Sequence, residues 1–140
     1  MSDNLLPSQR SYCMSRIKGQ DTGIERLVRS QLHMLGLRFN KHSATLPGRP
    51  DIVFTSAKVA VFIDGDFWHG FRFPLWCKSL SGFWQEKIAE TRARDLRNFR
   101  KLRAMGWIVI RIWQHQVERE FDRCIRRIVE AVAERSSTPP

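Results

Sequence analysis

Residues 46–70 read LPGRPDIVFTSAKVAVFIDGDFWHG. Pro47, Gly48 and Pro50 exclude a helix at the start, and Pro50 imposes an extended entry into the next residues. Asp51 to Phe54 is strand-like, and Lys58 to Gly65 is a second run rich in β-branched and aromatic residues. At a period of two, Val59, Val61 and Ile63 share one face of that run, and Ala60, Phe62 and Asp64 share the other. Both faces are apolar up to Asp64, so the strand is expected to be covered on both sides.

Upstream, a helix is expected from Asp21 or Thr22 to about Leu35. Ile24, Leu27, Val28, Gln31 and Leu35 fall mostly on one face, and Gly36 is a natural stop. A short strand, Leu37 to His42, leads into the quoted stretch. Downstream, Gly82 to Met105 reads as a long helix with Ile88, Asp95, Phe99 and Leu102 along one stripe, ended by Gly106. Trp107 to Trp113 is a further buried strand. A last helix runs from about Val117 to Glu134, with Phe121, Cys124, Ile125, Ile128 and Val132 inward. The order α, β-β-β, α, β, α predicts an α/β fold: a single domain with a central mixed β-sheet flanked by helices. Residues 1–20 read as a basic N-terminal arm, 21–135 as the domain and 136–140 as a disordered tail.

The chain has 140 residues, with 24 Lys and Arg against 14 Asp and Glu, for a net charge of +10. Such a surface concentrates polyanions, nucleic acid first among them. Charge alone does not separate an enzyme from a passive binder. The three cysteines, Cys13, Cys77 and Cys124, form no CxxC pair, which argues against a disulfide framework or a zinc ribbon and fits a reducing cytoplasm. No run resembles a signal peptide or is long enough to span a bilayer. Phosphate-loop, nucleophile-elbow and HExxH signatures are absent, as are helix-turn-helix, zinc-finger and RRM patterns.

The chemistry-bearing residues cluster in and around the quoted stretch. Asp51 opens one strand and Asp64 closes the next, thirteen positions later. If the strands are neighbours, the two carboxylates converge and require a proton or a cation between them. Hard oxygen ligands beside a phosphate substrate suit magnesium. The plain alternative is two strand-end turn residues. In DGDFWHG, residues 64–70, His69 lies near acids and suits a general base. Phe67 and Trp68 suit a wedge between bases or a return to the core. Asp95 lies on an apolar stripe and needs a partner: Arg92 and Arg94 are local ones, His69 the functional one. Thr22 and Glu25 have the spacing of a capping box, which accounts for Glu25 without chemistry. A reach to metal through water is the other reading. Arg10, Arg16 and Lys18 in the arm suit tracking of phosphates or plain solubility; with Arg49 before the first acid they are the expected contacts to a DNA backbone.

Taken in order, RSYCMSRIKGQDTGIE, LPGRPDIVF, VAVFIDGDFWHG, FWQEKIAETRARD and GWIVIRIW resemble the very-short-patch-repair (Vsr) family of mismatch endonucleases, from about Gln9 to Glu120. The resemblance implies a restriction-endonuclease-like sheet and a nick on the 5′ side of the thymine in a T·G mismatch left by deaminated 5-methylcytosine. It implies that Asp51 binds Mg2+ with the backbone carbonyl of Ile63, that Glu25 reaches the metal through water, and that His69 is the base held by Asp95. Asp64 takes a further catalytic position. Phe67, Trp68 and Trp84 enter the DNA stack. A cytosine-5 DNA methylase, a MutL-type repair protein and a monomeric, cytoplasmic, nucleoid-associated life are the family's associations. Some members hold a structural zinc with Cys and His. Here Asp66, Phe71 and Phe73 stand in that stretch and His115 remains, with Cys77 nearby in sequence; two ligands do not close a tetrahedral site, so no structural zinc is expected. The alternatives are a nuclease of the same fold with another target, and a catalytically silent DNA-binding module.

Overall fold

The computed structural model describes residues 23–66, 69–72 and 81–137. Helix α1 spans Gly23–Met34, strand β1 Asn40–Lys41, β2 Ile52–Phe54 and β3 Val59–Asp64. Helix α2 spans Gly82–Ala104, strand β4 Ile108–Trp113, and two helices come after it, α3 Gln114–Arg119 and α4 Phe121–Ser137. The four strands form one sheet in the order β1-β2-β3-β4. β1 and β3 each run antiparallel to β2, while β3 and β4 are parallel, joined across α2. The mixed α/β architecture is the expected one. The last helix is instead two, α3 and α4, and the second continues three residues past Glu134 into the expected tail.

Every residue of β3 is buried. On one face Val59, Val61 and Ile63 pack with Ile52, Ile110 and Ile112 against α1 and α4, through Val28, Leu32, Cys124, Ile125 and Ile128. On the other face Ala60 and Phe62 pack against Phe99 and Leu102 of α2. The alternation read from the sequence is therefore the division between two cores. Burial pushes the Cys124 thiol above its ordinary pKa, leaving it a small apolar side chain at neutral pH. No helix of the described residues is long and apolar enough to cross a membrane.

Helix α1 departs from its expected face. Leu27 is 58% and Leu35 51% exposed, and the buried residues are Glu25, Val28 and Leu32. The inward stripe is rotated so that it carries an acid, and an apolar-periodicity count assigns that position to solvent. Leu32→Ala is expected to cost about 2–5 kcal/mol in unfolding free energy, and Leu27→Ala within about 0.5 kcal/mol, measured by denaturant titration. Equal losses at both positions would put the wrong face of α1 inward.

Candidate active site

The site lies where the parallel strands end, the usual ligand edge of an α/β sheet. Asp64 is the last residue of β3 and Asp51 lies just before β2. They line one cavity of about 400 Å³ together with Gly48, Arg49, Phe62, His69, Arg94, Asp95 and Asn98. The convergence expected for Asp51 and Asp64 results from β2 and β3 being neighbours. Asp51 is tied to the adjacent strand twice: its amide donates to the Val61 carbonyl at 2.9 Å, and its Oδ2 accepts from the Ile63 amide at 2.7 Å. The Ile63 main chain is thus beside the carboxylate.

Asp95 meets His69, with Nδ1 to Oδ2 at 2.8 Å. An ionised carboxylate only accepts, so the Nδ1 proton points to Asp95 and Nε2 is left as the basic nitrogen. That Nε2 lies 3.5 Å from Asp64 Oδ1. The ring is aimed by the turn after it. Gly70 has φ +74, and a Cβ there would come within 2.6 Å of Arg92 Cδ and 2.9 Å of Ile88 Cγ2. Ile88 is fully buried, so that contact cannot relax by moving a free end.

Two members of the site lie outside the sequence-based expectation. Arg111 of β4 donates from Nε to Asp64 Oδ2 at 2.9 Å and from one terminal nitrogen to Asp95 Oδ2 at 2.8 Å. Its guanidinium lies over the Trp113 ring at 4.1 Å. Of the candidate partners for Asp95, His69 is in contact with it, and this distant arginine joins it. An arginine inside the apolar run WIVIRIW was the available signal, since a charge there demands a counter-charge. His42 is the other. β1 and β2 pair Asn40 with Val53 and Lys41 with Ile52, and His42 continues the ladder by donating its amide to the Asp51 carbonyl at 3.1 Å. His42 Nε2 lies 2.9 Å from Glu25 Oε2, and Arg29 contacts the same oxygen at 3.5 Å. Nothing local marks His42; the strand register places it.

Glu25 is 1% exposed. Glu25, His42 and Asp51 each offer a ligand atom, all within 4.8 Å of one another. Asp64, His69 and Asp95 form a second such group. Thr22, the other half of the suggested cap, lies outside the described residues. So do Phe67, Trp68, Arg10, Arg16 and Lys18. Arg49 lines the cavity. Trp84 sits in the first turn of α2, edge-on to Phe83 at 5.3 Å, and is not among the described residues lining that cavity. Asp66 accepts from His115 Nδ1 at 2.8 Å, and the Phe71 ring packs on His115 at 4.4 Å.

Carboxylates and an oriented imidazole at the ends of parallel strands define a restriction-endonuclease-like hydrolase. The chain belongs to the Vsr family: the model described as DNA mismatch endonuclease Vsr matches residues 2–74. It is 44% identical over 116 residues to the type II nicking enzyme V.XorIIP of Xanthomonas oryzae pv. oryzae, covering 81% of this chain and 85% of that one. It is 36% identical over 137 residues to the type II nicking enzyme V.HpaIIP of Haemophilus parainfluenzae, covering 95% and 97%. With the DNA mismatch endonuclease Vsr of Escherichia coli it shares 36% identity over 119 residues, covering 81% and 74%. The protein is a DNA endonuclease, a strand-nicking hydrolase.

Gly70→Ala is expected to lower nicking by about tenfold or more, because a misplacement of about 1 Å at His69 costs on the order of a hundredfold. Circular dichroism and a nicking time course on the same preparation separate this from unfolding. Unchanged activity would mean that the turn does not aim His69.

Proposed function

We propose that the protein makes a Mg2+-dependent nick on the 5′ side of the thymine in a T·G mismatch, in very short patch repair of deaminated 5-methylcytosine. The observation that carries the chemistry is the His69–Asp95 hydrogen bond, set in a cavity that also holds Asp51 and Asp64. The mismatch target is supported by the name of the Escherichia coli relative.

The donor set fits a divalent cation: acids at Asp51 and Glu25, the Ile63 main chain beside Asp51, and the two carboxylates held by different elements. Asp51 and the Ile63 carbonyl would hold the cation, and Glu25 would reach it through water. When bound, the cation neutralises charge on the scissile phosphate and makes water a better nucleophile at neutral pH. His69 takes the water's proton at Nε2, and Asp95 keeps the ring in the tautomer that leaves that nitrogen basic. Asp64 occupies a further catalytic position, facing the same nitrogen. Arg49 and Arg94 at the cavity draw the phosphate in, and Arg10, Arg16 and Lys18 extend the backbone contact. Phe67, Trp68 and Trp84 wedge into the stack, where a mismatched step is cheaper to open than a paired one. The enzyme acts as a monomer in the cytoplasm, at the nucleoid, alongside a cytosine-5 DNA methylase and a MutL-type repair protein. The Asp66–His115 hydrogen bond under Phe71 supports a place held by side-chain contacts where some relatives carry zinc.

The test is strand-resolved nicking of duplexes with a T·G mismatch in varied contexts, against matched T·A controls, with Mg2+ and with EDTA. A nick 5′ of the mismatched thymine, lost with EDTA, is the expected result. Equal cutting of matched duplex would retain the nuclease and discard the repair reading, and binding without cutting would leave a silent DNA-binding module. His69→Ala is expected to lower the rate by about 10²–10⁴-fold, and Asp95→Asn by about 10–100-fold. An unchanged rate in Asp51→Asn would remove that residue from the metal.

A further inference from the structure

His69 stands between two carboxylates. Asp95 Oδ2 meets its Nδ1 at 2.8 Å, and Asp64 Oδ1 lies 3.5 Å from its Nε2. The His69, Asp95 and Asp64 side chains are 12%, 11% and 6% exposed, so solvent screens these charges weakly. Two acids at opposite nitrogens of a poorly solvated ring favour the imidazolium, in which both nitrogens carry protons and neither can take one from water. A base in that place needs the acids' charge balanced.

Arg111 supplies a balancing charge to both. Its Nε donates to Asp64 Oδ2 at 2.9 Å and a terminal nitrogen donates to Asp95 Oδ2 at 2.8 Å. The parallel register pairs Arg111 with Phe62, two residues from Asp64 along β3, and so sets it on the α2 face of the sheet. The rings of Trp113 at 4.1 Å and Phe99 at 5.1 Å hold the guanidinium in place. Arg111 is not among the described residues that line the cavity, so its charge goes to the acids and not to a substrate phosphate. Among the described residues, the other charged groups around His69 are Asp51, Arg49 and Arg94 on the cavity wall and Arg92 beside Gly70.

We propose that Arg111 keeps His69 a base: by binding Asp64 and Asp95 together, it stops the two acids from trapping the imidazole as a charged ring, and it reserves Nε2 for the proton of the attacking water. This rests on the general-base reading of His69 given above. Arg111 is a positioning residue in this scheme, since it acts through the acids and His69. The sign follows from the charges: removing the cation favours the protonated ring, so a nick that needs the neutral ring is lost at the acidic end of its range and regained at higher pH.

Nitrogen NMR of the full chain with Mg2+ present reads the charge and tautomer of His69, and single-turnover nicking across about pH 5–9 reads the consequence. The wild type is expected to hold a neutral ring at neutral pH, protonated at Nδ1. Arg111→Met is expected to hold a charged ring at the same pH, with the acidic limb of its rate profile raised by about 1–3 pH units and DNA affinity unchanged. Asp64→Asn added to it removes one trapping acid and is expected to bring the limb back toward the wild-type position. A charged His69 in the wild type at neutral pH overturns the proposal, and that measurement stands even if Arg111→Met does not fold. A folded Arg111→Met with ring and profile unmoved overturns it while leaving His69 as the base. A ring that becomes charged with no change in rate overturns the base reading, and the proposal with it.

Discussion

Asp64 closes a strand that is buried on both faces, and a carboxylate in that place must be compensated by charge or hydrogen bonds. The compensation is Arg111, from the neighbouring parallel strand, which also reaches Asp95. Asp95 in turn fixes His69. One guanidinium therefore ties together the end of β3, the middle of α2 and the turn that carries the imidazole. Removing any one partner leaves a charge in a weakly solvated place, so the four side chains are held as a unit.

A second group, Glu25 and His42 beside Asp51, is built by different elements with a similar logic. α1 turns Glu25 inward, where a helix of this composition would ordinarily bury an apolar residue. The cost is met by His42 and Arg29. Asp51 stands between the two halves: it is tied to β3 through the main chain of Val61 and Ile63, it lies across the ladder from His42, and it faces the cavity with Asp64. A rigid sheet edge thus holds the acids, and the helices bring the groups that tune them. Catalytic sites are expected to break local rules of burial in this way, because the unfavourable charge is what a substrate or ion later satisfies.

Much of the fold is legible in the chain. Long, strongly periodic runs mark β3, β4 and α2, because alternation and helical stripes are local properties. Periodicity places the first helix correctly in sequence but turns it to the wrong face, since Leu27 and Leu35 are apolar yet exposed while Glu25 is buried. The final helix reads as one where there are two, α3 and α4, because the break at Glu120 carries neither glycine nor proline. In the site, strand order anticipates Asp51 and Asp64 at one sheet end, and an acid on an apolar stripe signals that Asp95 needs a partner, with His69 one of three candidates that the stripe leaves open.

By itself the sequence determined the elements, the two-sided burial of β3 and the acids at strand ends, for these depend on residues within a few positions of one another. Only the tertiary structure decided that Arg111 would bridge Asp64 and Asp95, 47 and 16 positions away, and that His42 would meet Glu25 across 17. Those contacts come from strand register and from how α1 and α2 lie against the sheet. Register moves side chains between faces in single-residue steps, and no local pattern in the chain encodes which polar group it brings opposite another.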